Sequence, residues 1–149
     1  MITKDNFKEV LAILGFKQED NKYSKTINSY TMQVDFNKEK LIYPQELTTE
    51  SDTTSNFSQN ENFVVFECVH KLLEIGYKAQ DLVLEKTWKL GHSAKSGRAD
   101  ITIYKSDENN KESYVYCIIE CKTMGKEFDN AKKDLFNNSD GNQLFSYAA

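Results

Sequence analysis

Apolar and polar residues in the second half of the chain alternate in a pattern that predicts two β-strands joined by a reverse turn. The run GRADITIY is followed by the polar stretch SDENNKES and then by YVYCIIECK. Runs rich in β-branched and aromatic residues favour strands, whereas clustered Asn, Asp and Ser residues favour the turn between them. Residues 98–122 are therefore predicted to form two strands around a polar turn.

Helical spacing marks the regions on either side of these strands. The run ENFVVFECVHKLLEIGY predicts a helix that ends at Gly76, because glycine is favoured just after a helix C-terminus. Residues 81–88 alternate and predict a further strand, while residues 126–136 predict a second helix before a polar turn at 137–141. The inward-facing residues of the first of these helices are Phe63, Phe66, Val69, Leu72 and Leu73.

The N-terminal part predicts one amphipathic helix and a small antiparallel meander. Apolar residues at helical spacing cover residues 5–15, and three short alternating runs follow, up to Pro44. Residues 47–60 are rich in Thr, Ser, Asn, Asp and Glu, so we interpret them as a linker. This divides the chain into an N-terminal extension, residues 1–46, and a core domain, residues 61–149. The extension is expected to pack on the core domain, with a partner-binding role as the alternative.

Length, charge and targeting signals limit the class of protein. A chain of 149 residues with 39% hydrophobic residues is large enough for one core and too short for two ordinary domains. The formal net charge of -4 argues against a protein that simply coats DNA, although carboxylates at an active site would add negative charge themselves. No run suits a membrane span and the N-terminus lacks the layout of a signal peptide, so a cytoplasmic protein is expected.

The three cysteines favour reduced thiols over structural disulfides. Cys68, Cys117 and Cys121 form an odd count, and each lies within an apolar stretch. The spacing of Cys117 and Cys121 on a predicted strand fits no common zinc site. We therefore expect these cysteines to be buried and unpaired.

Two acidic residues stand at the ends of the predicted strands, where burying a carboxylate costs free energy unless something binds to it. Asp100 lies at one end of the first apolar run, and Glu120 ends the second. Because side chains alternate along a strand, Glu120 and Lys122 point to the same side. If the two strands are neighbours, two carboxylates and one ammonium group meet, which is the outline of a hydrolytic metal site.

The order Asp100, polar turn, Glu120-Cys121-Lys122 resembles the motif of the PD-(D/E)xK nuclease superfamily, with Ala99 in place of the usual proline. The resemblance implies an α/β fold whose core is a central mixed β-sheet flanked by helices, with the small α+β extension appended. It also implies a DNA endonuclease in which Asp100 and Glu120 hold Mg²⁺, for which Mn²⁺ is expected to substitute. Lys122 would help to deprotonate or orient the attacking water, with its proton affinity lowered by the cation.

Three further residues enter the site through the resemblance. Glu67 shares a partly buried helical face, and a Glu on this first core helix often contributes to the metal site in the superfamily; the alternative is a solvated glutamate beside Lys71. Gln143 and Tyr147 resemble the Gln-x-x-x-Tyr pattern in the nuclease subunit of type I restriction enzymes and in related fused restriction-modification proteins. They are expected to position the scissile backbone or Lys122.

A run of cations without an intervening acid leads into Asp100 and suggests contact with the phosphate backbone of DNA. Glycines and serines between these cations predict a flexible loop. We assign DNA contact to Lys89, Lys95 and Arg98. The alternative is that this loop is merely a solvated charged face, which is the commoner fate of charge runs.

The resemblance also implies partners that this chain lacks. In fused restriction-modification enzymes, such a nuclease domain is followed by methyltransferase, motor or target-recognition domains, and no motif for these is present here. The chain ends at Ala149 within a predicted helix, so we expect the core domain to be truncated at its C-terminal end. The alternative functions are a catalytically inactive DNA-binding or docking module of the same fold, and a structural domain that packs against a partner.

Overall fold

The computed structural model describes residues 1–89, 96–106 and 112–136. Within these ranges the chain forms two four-stranded β-sheets and three α-helices. The prediction of a mixed α/β fold is confirmed at this level. No helix in the same ranges combines the length and apolar character needed to cross a membrane.

The N-terminal sheet is an antiparallel meander that follows the first helix. Helix α1 spans Phe7–Ile13, and the strands are β1 at Lys17–Glu19, β2 at Lys22–Ile27, β3 at Tyr30–Asp35 and β4 at Lys40–Ile42. These elements confirm the predicted helix and meander. Asn28 and Ser29 join β2 to β3 with positive φ angles of 49° and 75°, which a two-residue hairpin turn of the favoured hand requires.

The second sheet is mixed. Its strands are β5 at Thr48–Thr49, β6 at Leu82–Lys89, β7 at Ser96–Ser106 and β8 at Ser113–Ile119, in the order β5-β6-β7-β8. Strand β5 runs parallel to β6, whereas the β6–β7 and β7–β8 pairs are antiparallel. Helix α2 spans Asn60–Glu74 and helix α3 spans Lys126–Phe136, close to the predicted positions.

One aromatic core connects the two sheets through α2. The Phe7 ring from α1 lies 4.4 Å from the Phe63 ring of α2 and 6.1 Å from the Phe57 ring, measured between centroids. Phe66 of α2 packs at 6.0 Å from the same Phe7 ring. Full burial of each such side chain contributes about 1.5–3 kcal/mol. The N-terminal extension is therefore packed on α2, as expected from the sequence.

Residues 47–60, which the sequence analysis interprets as a linker, are held against the core. Leu47 and Phe57 are buried in the core, and β5 extends the mixed sheet from within this range. Glu50 accepts a hydrogen bond of 2.7 Å from the Lys86 ammonium of β6. Two apolar residues and a two-residue strand thus fix this mainly irregular range.

A buried lysine–histidine contact ties β2 to the C-terminal half of α2. The Lys25 ammonium lies 2.6 Å from the Leu14 carbonyl oxygen, 2.8 Å from His70 Nε2 and 3.0 Å from Glu74 Oε1. His70 is fully buried, and its ring stacks at 5.6 Å from the Phe16 ring. Because the ammonium group only donates hydrogen bonds, His70 Nε2 must be the acceptor and the ring must be neutral. Burial, and then the Lys25 charge, lower the pKa of His70.

We predict that this contact makes stability pH-dependent. A histidine whose folded-state pKa is lowered contributes stability that is complete above its unfolded pKa of about 6.5 and is lost as the pH falls from there towards the folded value. Protonated His70 would also face the Lys25 and Lys71 ammonium groups, and the Glu74 carboxylate and the Leu14 backbone compensate only in part. Chemical denaturation from about pH 7.5 down to about pH 5 should show this loss.

The matched variant is His70→Gln, which keeps an acceptor for Lys25 and cannot titrate. Its free energy of unfolding should fall less than that of the wild type over the same pH interval. Equal pH dependence of the free energy of unfolding in the two proteins would show that His70 does not cause the loss of stability.

Candidate metal and hydrolytic site

The pairing of β7 and β8 brings the predicted acidic residues together. Ile101 pairs with Ile119, so Asp100 and Glu120 are the next residues along the two strands. Asp100 Oδ2 accepts a hydrogen bond of 2.6 Å from the backbone N–H of Cys121. This bond fixes the Asp100 carboxylate at the point where β8 ends.

Lys122 forms the centre of the carboxylate cluster, which we define as Glu61, Asp100 and Glu120. Its ammonium lies 3.0 Å from Glu120 Oε1, 3.4 Å from Glu61 Oε1 and 3.0 Å from the Cys121 carbonyl oxygen. Burial lowers the pKa of Lys122, but the Glu120 hydrogen bond and the charges of the three carboxylates outweigh it and raise the pKa to about 12. Lys122 is therefore protonated throughout the physiological pH range.

The Asp100 carboxylate is poorly solvated and lies near another negative charge, so its ionised form is disfavoured. Burial, followed by the charge of Glu120, raises the pKa of Asp100 to about 7. The Cys121 N–H and the Lys122 charge lower the pKa of Asp100 but do not cancel these effects. Near neutral pH, Asp100 is therefore divided between its protonated and ionised forms.

Glu120 carries an unsatisfied oxygen. Its side chain is 14% exposed, and Oε1 bonds to Lys122, but Oε2 is inaccessible to solvent and has no hydrogen-bond partner in the described part of the chain. Leaving a buried charged acceptor unpaired costs free energy that a bound cation or water would recover. This oxygen is the feature of the cluster that most clearly calls for a ligand.

The chemistry of the cluster fits a hard divalent cation, although the donors are not gathered as a finished metal site. Carboxylate oxygens are the ligands that Mg²⁺ prefers. Across residues 1–89, 96–106 and 112–136, however, no three His, Cys, Asp or Glu side chains converge closely enough to hold a metal ion. Asp100 and Glu120 are the carboxylates of the cluster that could serve as ligands, and Glu61 is a further carboxylate in contact with Lys122.

The helix glutamate that reaches the cluster is Glu61, whereas the sequence pointed to Glu67. Glu61 lies in the first turn of α2 and contacts Lys122, while half-buried Glu67 makes no ion pair or hydrogen bond with any described residue. The helical repeat explains this, because six residues of a 3.6-residue helix rotate a side chain about a third of a turn away.

Strand β6 contributes a buried carboxylate that the sequence did not single out. Glu85 is 6% exposed and has a positive φ of 56°, which is unusual for a residue with a side chain. The pairs Leu84–Ile101 and Lys86–Ala99 flank it, so its position along the sheet is opposite Asp100. Its only sequence signal is an acid within an alternating strand. Its backbone conformation is not visible in the sequence.

Arg98 is engaged by this same carboxylate. Its guanidinium Nη1 lies 3.3 Å from Glu85 Oε2 and donates a 3.2 Å hydrogen bond to Ser51 Oγ. Arg98 is nearly half exposed, so a phosphate could still approach it, but it would share the guanidinium with Glu85. Lys89 ends β6, and Lys95, Gln143 and Tyr147 lie outside the described residues.

Comparison of the chain with protein-family models, with curated proteins and with solved structures finds no match.

We predict that Glu61, and not Glu67, supports the charge of Lys122. Replacing Glu61 with Gln removes a carboxylate 3.4 Å from the ammonium, so the pKa of Lys122 should fall. Glu67→Gln is the matched control on the same helix and should leave that pKa unchanged. Titration of the Lys122 side-chain resonances by NMR measures both. An equal effect of the two variants would contradict the placement of Glu61.

We also predict that Asp100→Asn stabilises the metal-free protein at alkaline pH. An acid whose pKa rises from 3.8 to about 7 on folding loses stability as the pH rises through that interval. Asn keeps the acceptor for the Cys121 N–H but carries no charge. Near pH 8 the free energy of unfolding of the variant should therefore exceed that of the wild type by an amount on the order of a few kcal/mol, and this difference should vanish near pH 4. Both proteins are measured by chemical denaturation with a chelator present. A difference that does not change with pH would contradict the prediction.

Proposed function

We propose that this chain is a metal-dependent DNA endonuclease domain of a restriction-modification enzyme. The observation that carries the proposal is the carboxylate cluster around Lys122, in which the buried Oε2 of Glu120 has no partner among the described residues. The order of these residues along β7 and β8 is that of the PD-(D/E)xK resemblance. Sequence recognition would come from methyltransferase, motor or target-recognition partners.

The finer fold proposal is a restriction-endonuclease-like core. Its support is a mixed sheet whose antiparallel β7 and β8 bring Asp100 and Glu120 to adjacent positions, with helix α2 contributing Glu61 from the side. The superfamily resemblance expects this combination of a helix glutamate with two strand acids. Only the glutamate differs from the one expected, since Glu61 takes the place assigned to Glu67.

In this proposal Asp100 and Glu120 hold Mg²⁺ or Mn²⁺. Glu61 helps to hold the Lys122 ammonium in place. A bound divalent cation supplies Lewis-acid stabilisation of the phosphate and lowers the pKa of bound water. The Asp100 proton must leave before this carboxylate can serve as a ligand, so its pKa of about 7 makes cation binding weaken as the pH falls below neutrality.

Lys122 acts in the proposal as a fixed positive charge. With a pKa of about 12 it retains its proton in the cation-free state, so it is suited to orienting water and stabilising the charge that builds on the phosphate. The carboxylates hold its ammonium in place by hydrogen bonds. Any role as a base requires its pKa to be lowered by a neighbouring cation.

DNA contact is proposed for Lys89, Lys95 and Arg98, and positioning of the scissile backbone for Gln143 and Tyr147. Arg98 brings a specific constraint, because phosphate and Glu85 compete for one guanidinium group. Contacts with backbone phosphates are salt-sensitive and independent of base sequence.

A catalytically inactive DNA-binding or docking module is the second candidate. One observation suits it: the carboxylates of the described residues are not gathered as a complete set of metal ligands. In such a module, Lys122 would serve only to neutralise Glu61 and Glu120. The two candidates differ in whether the cluster binds a divalent cation at all.

We predict that Glu120 is needed for metal binding, whereas Lys122 is needed only for cleavage. Glu120→Ala and Asp100→Ala should lose Mn²⁺ binding in calorimetry and lose plasmid cleavage in the longest native chain. Lys122→Ala should still bind Mn²⁺, because an ammonium group is not a ligand, while its cleavage rate falls about 10²–10³-fold.

Glu112→Ala is the control, since Glu112 is an exposed glutamate just before β8. It should retain both metal binding and cleavage. Normal Mn²⁺ binding by both Asp100→Ala and Glu120→Ala, or normal cleavage by Lys122→Ala, would rule out this site. Mn²⁺ binding without any cleavage would favour the inactive module.

A further inference from the structure

Two hydroxyl groups and one guanidinium group meet at the end of β7 that carries Asp100. Arg98 Nη1 lies 3.2 Å from Ser51 Oγ and 3.5 Å from Thr53 Oγ1, and the two hydroxyl oxygens are 3.1 Å apart. Ser51 is partly exposed, Thr53 is exposed and the Arg98 side chain is 48% exposed. A ligand from solvent therefore reaches all three residues, which we call the hydroxyl–guanidinium cluster.

The residue before Ser51 holds the two hydroxyl groups beside Arg98. The backbone N–H of Glu50 donates a 3.1 Å hydrogen bond to the Leu84 carbonyl oxygen, and the Glu50 carboxylate accepts a 2.8 Å hydrogen bond from the Thr87 N–H. Thr87 pairs with Arg98 across β6 and β7. Glu50 is thus bound to the strand next to Arg98, and the hydroxyl groups are placed there by contacts that do not involve the guanidinium group.

A carboxylate of the protein already lies on this guanidinium group. Glu85 Oε2 is 3.3 Å from Arg98 Nη1, and the Glu85 side chain is only 7% exposed. A buried carboxylate that loses its cationic partner costs free energy, because water does not replace the lost interaction. An oxyanion from solvent must therefore compete with Glu85 for Arg98.

We propose that the hydroxyl–guanidinium cluster binds a backbone phosphate of DNA, and that Glu85 lowers the affinity of this site. Phosphate oxygens accept hydrogen bonds from guanidinium groups and from serine and threonine hydroxyls. In the structure the two hydroxyl oxygens face Arg98 as acceptors, and each hydroxyl also has a proton of its own to donate. The cluster therefore offers donors from three residues to one oxyanion.

The position of Arg98 on β7 indicates which phosphate binds. Arg98 and Asp100 are two residues apart on one strand, so their side chains leave it on the same face and about 7 Å apart. A phosphate on Arg98 thus lies close to the phosphate that the carboxylate cluster would cleave. This position relative to the cleaved bond rests on the proposed function, whereas oxyanion binding at Arg98 does not.

The test is a titration of the 149-residue chain with inorganic phosphate in the presence of a chelator. NMR resonances of the Arg98 Nε–H group and of the Ser51 amide should shift and saturate. Glu85→Gln keeps the size of the side chain and removes its charge, so this variant should bind phosphate about tenfold more tightly. Shifts that do not saturate would overturn the site, and equal or weaker binding by Glu85→Gln would overturn the role of Glu85.

The matched control for charge is Glu112→Gln. It removes the same charge from an exposed residue just before β8, whose first residue, Ser113, pairs with Ser106 at the opposite end of β7 from Arg98. Its phosphate affinity should equal that of the wild type. An equal gain in affinity in Glu112→Gln and Glu85→Gln would show an effect of net charge alone and would overturn the competition.

Two further variants test the donors. Thr53→Val removes an exposed hydroxyl and keeps the shape of the side chain, so phosphate binding should weaken about tenfold. Arg98→Gln should abolish the shift of the Ser51 amide. Wild-type phosphate affinity in either variant would overturn the assignment of that residue as a donor.

A short DNA duplex identifies the source of the phosphate. With the chelator present, the duplex should shift the same two resonances, and Glu85→Gln should bind it more tightly than the wild type does. Phosphate binding without duplex binding would overturn the assignment to DNA.

Plasmid cleavage with Mn²⁺ is measured separately. If the duplex binds at Arg98 and no cleavage occurs, the proposed function fails and the phosphate site stands. If the wild type cleaves plasmid and neither phosphate nor duplex shifts the Arg98 resonance, this inference fails and the proposed function stands.

Discussion

The packing of α2 between two sheets is the constraint on which the other features of this protein depend. Its apolar face supplies Phe63, Phe66 and Val69 to the shared core, which fixes the rotation of the helix about its axis. Once that rotation is fixed, the directions in which the polar side chains leave the helix are fixed as well. Glu61 is directed to Lys122, just beyond the end of β8, and His70 is directed to Lys25. A hydrophobic interaction thus positions polar groups at both ends of the helix.

The carboxylate cluster illustrates how charge is tolerated at low solvation. Three negative groups would be strongly unfavourable together, and the structure meets this cost in two ways. Lys122 supplies a permanent positive charge, and Asp100 lies close to half protonation near neutral pH. Within the described residues, Oε2 of Glu120 has no hydrogen-bond partner, so the compensation there is incomplete. A buried acceptor without a partner lowers the free energy of unfolding.

Local patterns in the sequence predicted most elements, while the errors came from tertiary placement. Strand parity placed Glu120 beside Lys122 because alternation is a property of the backbone alone. The glutamate that contacts Lys122 is Glu61 and not the expected Glu67, since the sequence does not state which helix face meets the end of β8. The positive φ of Glu85 could not be predicted, because a positive φ in mid-strand depends on its surroundings. Strand β5 could not be predicted either, because a two-residue parallel strand has no distinct periodicity.

The N-terminal sheet gains a role from this arrangement. Lys25 of β2 joins the end of α1 to His70 and Glu74, which lie in the C-terminal half of α2, whereas Glu61 lies in its first turn. Because a helix transmits displacement as a nearly rigid rod, anchoring one end limits the movement of the other. Helix α2 is therefore held near its C-terminal end by Lys25 and contacts Lys122 through Glu61 in its first turn. The N-terminal sheet and the carboxylate cluster are linked through this one helix, which also closes the core.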